Sequence, residues 1–287
     1  MNLKGESAYV GRHCGSNLYE ITRGVVDFYA DALDDHSPLW KEIAPPLLHH
    51  SECYKFLGEW YLKNLFGNLH ARQEWELFAP LQIGSRVRSR STIVERYTRR
   101  GRHYVVNETD FSDADEGRLL VRGRTHQSFL PPKERQSEGG FVVDERTAAQ
   151  KEPRAPFPTA SGPELPRLKK SVDARRCWMF SGPGKNYHTD REAAKQLGFP
   201  NIVVQGMMAT CFLSQVMGDH FGLGWIVGGK MDVRLTNVLW VDESVTAQAK
   251  IRDEVPEGRR TRVHCDVWLD KDDGTRVALG SASATRG

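Results

Sequence analysis

The sequence predicts an α+β protein built twice over, each copy a long helix with a strongly twisted antiparallel sheet wrapped on it. Three observations predict this. Glycines recur at a constant offset of 157 inside matching strand patterns, an apolar helical segment precedes each set of strands, and a proline-rich stretch separates the two sets. A chain of 287 residues, 39% hydrophobic and 27% charged, has room for two ordinary domains and the make-up of a soluble globular protein.

The first copy is expected over residues 1–133. Its helix is read at Cys53 to Phe66, where Phe56, Leu57, Trp60, Tyr61 and Leu65 recur at helical spacing. Arg86 to Arg102 follows, with Val87, Ile93 and Val94 marking a strand whose basic face is solvated. Gly101-Arg102 opens an alternating strand (Tyr104, Val106). Asp113 to Gly117 turns the chain, because acidic residues ending in glycine suit a hairpin that needs positive φ, and Leu119 to Val121 returns it.

Residues 134–170, with Pro153, Pro156, Pro158, Pro163 and Pro166, read as an extended linker. The second copy, 171–287, repeats the order. Val203 to Val216 is the helix, with Gly206 near its start and Gly218 near its end. Gly258-Arg259 opens a strand (Val263, Cys265, Val267), Asp270 to Gly274 turns, and Val277 to Leu279 returns. Gly101, Gly117 and Gly123 thus match Gly258, Gly274 and Gly280. The expected product is an intramolecular pseudo-dimer.

The charge balance, 40 basic against 37 acidic residues spread along the chain, argues against a nucleic-acid partner. The five cysteines are scattered singly, which suggests reduced thiols in a cytoplasmic protein, and no Cys/His spacing suggests a metal. No apolar leader core and no run of about 18 apolar residues is present, so no membrane partner is expected.

The most informative segment is Ser181-Gly182-Pro183-Gly184-Lys185-Asn186-Tyr187-His188-Thr189-Asp190. It places a histidine in a tight Gly/Pro loop ahead of a helix-start signal. With Ala193-Ala194, Gly198-Phe199, Ile202 to Met207 and Lys230 to Leu235, it resembles the hot dog fold of the MaoC-like, R-specific enoyl-CoA hydratases. The likeness covers most of residues 172–287. Asp34 to Trp40 resembles a worn copy of the same loop, keeping Asp35 at the acid position but placing Trp40 where the histidine belongs.

The resemblance implies two tandem hot dog domains, with the first shaping an acyl pocket and the second carrying the site. His188 is implied as general base, acting on an acyl thioester of CoA or of a carrier protein with no other cofactor. A helix N-terminus is implied to stabilise charge on the thioester oxygen, and Gly206 is the candidate. Lys185 and Asn186 are candidate donors to the substrate, and Tyr187 a candidate wall of the acyl pocket. The chain departs from the family pattern at Pro183, which stands where the catalytic Asp belongs. Asp190 is the nearest spare carboxylate, although Asp190-Arg191-Glu192-Ala193 also reads as a helix N-cap. Asp35 is a further candidate, acting across the halves.

The resulting expectation is a hydratase or dehydratase of fatty acyl thioesters, a lyase, possible also as a homodimer of the whole chain. Two alternatives stand beside it. One is a thioesterase or another elimination or isomerisation on the same fold, and the other is a non-catalytic acyl-binding or assembly subunit.

Overall fold

The computed structural model describes residues 8–56, 69–99, 102–129 and 157–287. Twelve strands are present among them. β1 (His13–Glu20), β2 (Ile43–Ala44), β3 (Leu69–Leu77), β4 (Leu81–Gln82), β5 (Arg86–Arg99), β6 (Arg102–Asp113) and β7 (Leu119–Phe129) belong to the first half. β8 (Leu168–Ser171), β9 (Lys230–Leu235), β10 (Ser244–Glu257), β11 (Arg260–Lys271) and β12 (Arg276–Arg286) belong to the second.

Ten strands form one sheet in the order β1-β5-β6-β7-β3-β9-β12-β11-β10-β8, and β2 and β4 pair separately. Each half contributes an outer strand, a three-stranded meander and an inner strand, so the order reads alike from either edge. β3 and β9 join the halves antiparallel, with Glu74 opposite Asp232. Gly123 faces Trp75 across β7–β3, and Gly280 faces Val233 across β12–β9. Positions 74 and 232, and 75 and 233, are both 158 apart, so an approximate two-fold axis passes between Glu74 and Asp232. Arg72 clasps Asp232 there through two hydrogen bonds of 2.6 Å.

The glycine repeat has a physical basis in the described strands. Gly117 and Gly274 take φ of 72° and 83° in the β6–β7 and β11–β12 turns, where a Cβ would be strained. The basic face read over Arg86 to Arg102 falls on β5, whose burial alternates over its first eight residues. Gly101 lies outside the described residues, as does most of the first-half helix expected over Cys53 to Phe66, whose first three residues fall in the short helix Glu52–Lys55. Most of the expected linker lies outside them too. Residues 168–170 of it form part of β8, paired with β10.

The second-half helix runs Gly206–Phe221 and is buried on all sides rather than along one stripe. It packs against β10, β11, β12, β3 and β8, and against the helix Arg23–Leu33. One hydrophobic cluster runs through both halves, from Ile21 and Trp75 to Phe212 and Val267. No helix among the described residues is long and apolar enough to cross a membrane.

Candidate active site

The His188 loop hangs between two short helices, and local bonds set its shape. Asp173 caps the helix Ala174–Ser181 by accepting from the Arg176 amide at 2.7 Å. The chain then turns at Gly182, where a Cβ would stand 2.6 Å from the Trp178 carbonyl oxygen. Asn186 is the staple of the loop. Its Oδ1 accepts from the His188 amide at 2.8 Å, and its Nδ2 donates to the Ser181 carbonyl at 3.2 Å. Its carbonyl accepts from the Thr189 and Asp190 amides, both at 2.9 Å. Both ends of the side chain are therefore occupied within the loop, which accounts for Asn186 without a substrate.

Asp190 serves as the N-cap of the helix Arg191–Gln196, accepting from the Ala193 amide at 2.9 Å. That amide holds its carboxyl below the usual range, with Lys185 adding to the effect. Lys185 is exposed over 85% of its side chain and stands 3.6 Å from Asp190. Of the two readings the sequence offered for Asp190, the geometry displays the cap.

His188 is held against the next segment of chain. The Val203 amide donates to the Tyr187 carbonyl at 3.1 Å, and His188 Nδ1 lies 2.7 Å from the Val203 carbonyl. A carbonyl only accepts, so Nδ1 carries the proton and Nε2 bears the lone pair. Burial pushes the imidazole pKa down to about 4, against the pull of that carbonyl. The group is thus a neutral base at ordinary pH. Tyr187 packs on it with ring centroids 3.9 Å apart. Among the described residues, no carboxylate is hydrogen-bonded to the His188 ring.

Three residues beyond Val203 the central helix begins. Gln205 occupies its N-cap position but makes no side-chain capping bond, so the amides of the first turn keep no side-chain acceptor. The Gln205 side chain instead accepts from the Tyr54 hydroxyl at 3.0 Å. Gly206 opens the helix in a crowded place, where a Cβ would collide with the Leu235 side chain and stand 3.4 Å from His70 Nδ1. An uncapped helix start, with its partial positive charge, suits an oxygen that gains negative charge.

Tyr54 and His70 both come from the first half, and the sequence did not single out either. No strand was read over Leu69–Leu77 in the sequence, and simple alternation there would still misdirect His70. Strict alternation back from the buried Gln73 and Trp75 puts position 70 on the outer face, with the ion-paired Arg72 and Glu74. The register slips between His70 and Arg72, leaving Ala71 as a bulge, and this turns His70 inward. Burial pushes its pKa down to about 4, against Gln73 and the Arg72 backbone.

The worn copy of the motif is closed. Trp40 Nε1 donates to Asp35 Oδ1 at 2.8 Å, and both side chains are buried. Burial pushes the Asp35 carboxyl up despite that bond. Asp35 and Trp40 line a small cavity with Cys211, Ser214 and Gln215. Cys211 lies five residues, about 7.5 Å, along the central helix from Gly206. Asp35 Oδ1 is thus taken up by Trp40 and the Ser37 amide, and among the described residues no hydrogen bond joins it to His188.

No protein-family model matches the chain, and no curated protein does. Solved structures match it along nearly its whole length. A structure titled MaoC-like dehydratase aligns with a TM-score of 0.75 at 17% identity, over 96% of this chain and 98% of that one. A MaoC-like dehydratase from Phytophthora capsici aligns with a TM-score of 0.68 at 14% identity, over 96% of each chain. A putative oleoyl thioesterase from Lactobacillus plantarum aligns with a TM-score of 0.54 at 15% identity, again over 96% of each. The chain has the hot dog fold of these proteins.

Proposed function

We propose that this chain, with the fold of the MaoC-like dehydratases, is a hydro-lyase that hydrates or dehydrates an acyl thioester of CoA or of a carrier protein. One observation carries the reading. The Val203 carbonyl holds the His188 proton on Nδ1, which leaves the lone pair on Nε2, and three residues further along the chain the helix Gly206–Phe221 starts without a side-chain cap.

In hydration, Nε2 takes a proton from water as its oxygen bonds to the β-carbon of a 2-enoyl thioester. The π pair moves toward the carbonyl, whose oxygen is met by the Gly206 amide, and the imidazolium returns the proton to the α-carbon. Dehydration is the reverse. The substrate's own phosphopantetheine arm is the only cofactor this requires. The strand order that reads alike from both edges supports two tandem hot dog domains joined as an intramolecular pseudo-dimer. All five cysteines are buried and free, which suits a cytoplasmic protein.

A thioesterase is the second reading. The same base and helix start would serve a water attacking the carbonyl carbon, and one of the aligned structures is titled a putative thioesterase. A panel of saturated and 2-enoyl CoA thioesters separates the two. Loss of enoyl absorbance without free thiol supports the hydro-lyase, whereas thiol release from saturated thioesters overturns it in favour of hydrolysis. Binding without either reaction would leave an acyl-binding subunit.

A further inference from the structure

A polar interior sets the first half apart from the second. In the strand pairings Gly123 faces Thr109, and Gly280 faces Val267. Thr109 and Ser91 therefore stand where the second half has Val267 and Ala249. Two positions away along the same strands, Asn107 and Ser89 stand where it has Cys265 and Ala247. All of these residues are buried. The second half shows that apolar residues fill these places, and a buried polar group costs free energy unless it is bonded. Packing alone does not call for the polar residues of the first half, so what they bond is informative.

They hold one short turn of chain. Ser89 Oγ donates to Glu52 Oε2 at 2.7 Å, and Asn17 donates to the other carboxylate oxygen at 3.2 Å. Asn107 Nδ2 donates at 2.7 Å to the Cys53 carbonyl, which belongs to the peptide that carries Tyr54. Ser91 donates to Asn107 Oδ1 at 2.6 Å, and Thr109 to Ser91 at 3.5 Å, so the Asn107 amide is itself held. The two residues before Tyr54 are thus tied to the sheet. Burial pushes the Tyr54 phenol up, so its hydroxyl stays protonated and donates to Gln205 Oε1 at 3.0 Å. Gln205 is the N-cap residue of the helix Gly206–Phe221, yet its side chain makes no capping bond. A free N-cap side chain can turn back onto the amides of the first turn. Tyr54 occupies the oxygen that would do so.

We propose that Tyr54 is a positioning residue, which keeps the Gln205 side chain off the first-turn amides and so leaves them open to the thioester oxygen. This rests on the hydro-lyase reading, in which those amides meet the oxygen as it gains charge. Tyr54 exchanges no proton and acts only through Gln205. The buried Ser89, Ser91, Asn107 and Thr109 are the mounting that aims it. The first half, whose own copy of the loop is closed by Trp40, contributes to the site through this contact.

The coupling between the two side chains is the test. Crotonyl-CoA hydration is followed for the wild type, H188A, Y54F, Q205A and the double variant Y54F/Q205A, with Tm measured for each. Y54F removes only the hydroxyl and frees Gln205 to cap the helix. Its kcat/KM is expected to fall by about tenfold, the factor with which an N-cap bond of ordinary strength competes. In the Q205A background there is no side chain left to restrain, so adding Y54F is expected to change nothing. If H188A is inactive and Y54F turns over at the wild-type rate, the Tyr54 assignment is overturned and the hydro-lyase reading stands. An equal fall from Y54F in both backgrounds marks a role independent of Gln205 and also overturns it. A wild-type protein inert toward crotonyl-CoA and longer 2-enoyl-CoA thioesters overturns the hydro-lyase reading, and the role of Tyr54 with it.

Discussion

Asn186 and Asp190 show how residues in a site loop divide between chemistry and support. Asn186 ties His188 to Ser181, so replacing it loosens the base without removing it. N186A is expected to lower kcat by about tenfold while KM moves less, a split measurable in initial rates. Asp190 ends on the Ala193 amide. D190A is expected to lower the urea-unfolding midpoint by loss of the cap while leaving kcat within a few-fold; a hundredfold fall in kcat at unchanged stability would instead make it the missing acid. Residue types at motif positions located the loop from sequence alone. The direction of each side chain was not legible there, because Asn, Asp and Lys serve backbone and substrate through the same atoms. Position 183 was legible, since proline cannot act as an acid in any conformation.

At the scale of elements, the helix expected over Val203 to Val216 from its apolar spacing runs Gly206–Phe221 instead, because Val203 is drawn into a bridge with Trp240 and the helix continues past Gly218. Its burial on all sides was less legible, because it depends on strands from both halves. The bulge at Ala71 was not legible at all, since nothing in Leu69 to Leu77 announces a break in alternation, and that break aims His70. G206A tests the helix start. The new methyl would meet the flexible end of Leu235 and press toward His70 Nδ1. Alanine is also the better helix former, so stability should change little while kcat falls by about 10²-fold. Thermal melts and hydration rates on one preparation check both halves of that statement.

Among the described residues one ten-stranded sheet and the larger hydrophobic cluster run through both halves, and the glycine offset read in the sequence parallels the strand pairings on either side of Glu74 and Asp232. What the repeat did not announce is a set of imidazoles taken out of water. His49 is pushed down to about 3, and His50, His70 and His188 to about 4, chiefly by burial. Neither ring nitrogen of His50 has a hydrogen bond among the described residues, and the ring stacks on Phe180 at 4.0 Å. The unfolded chain protonates these groups from about pH 6.5 downward, while the folded protein resists until about 4. Their contribution to stability is therefore complete above about 6.5 and is lost as pH falls from there to about 4. For His50 alone the loss at pH 5 is about 2 kcal/mol. H50F is expected to raise Tm more at pH 5 than at pH 7.5, flattening the acid limb of the melting profile; an equal shift at both values would remove His50 from that account.

The same depressed ionisation makes His188 a neutral base through the physiological range, and on that the proposed chemistry depends. The most direct measurement is the hydration rate of a 2-enoyl-CoA thioester by the wild type and by H188A, with Tm recorded for both. The account predicts a fall in kcat of at least about 10²-fold with the fold intact. Full hydration activity in H188A would contradict it.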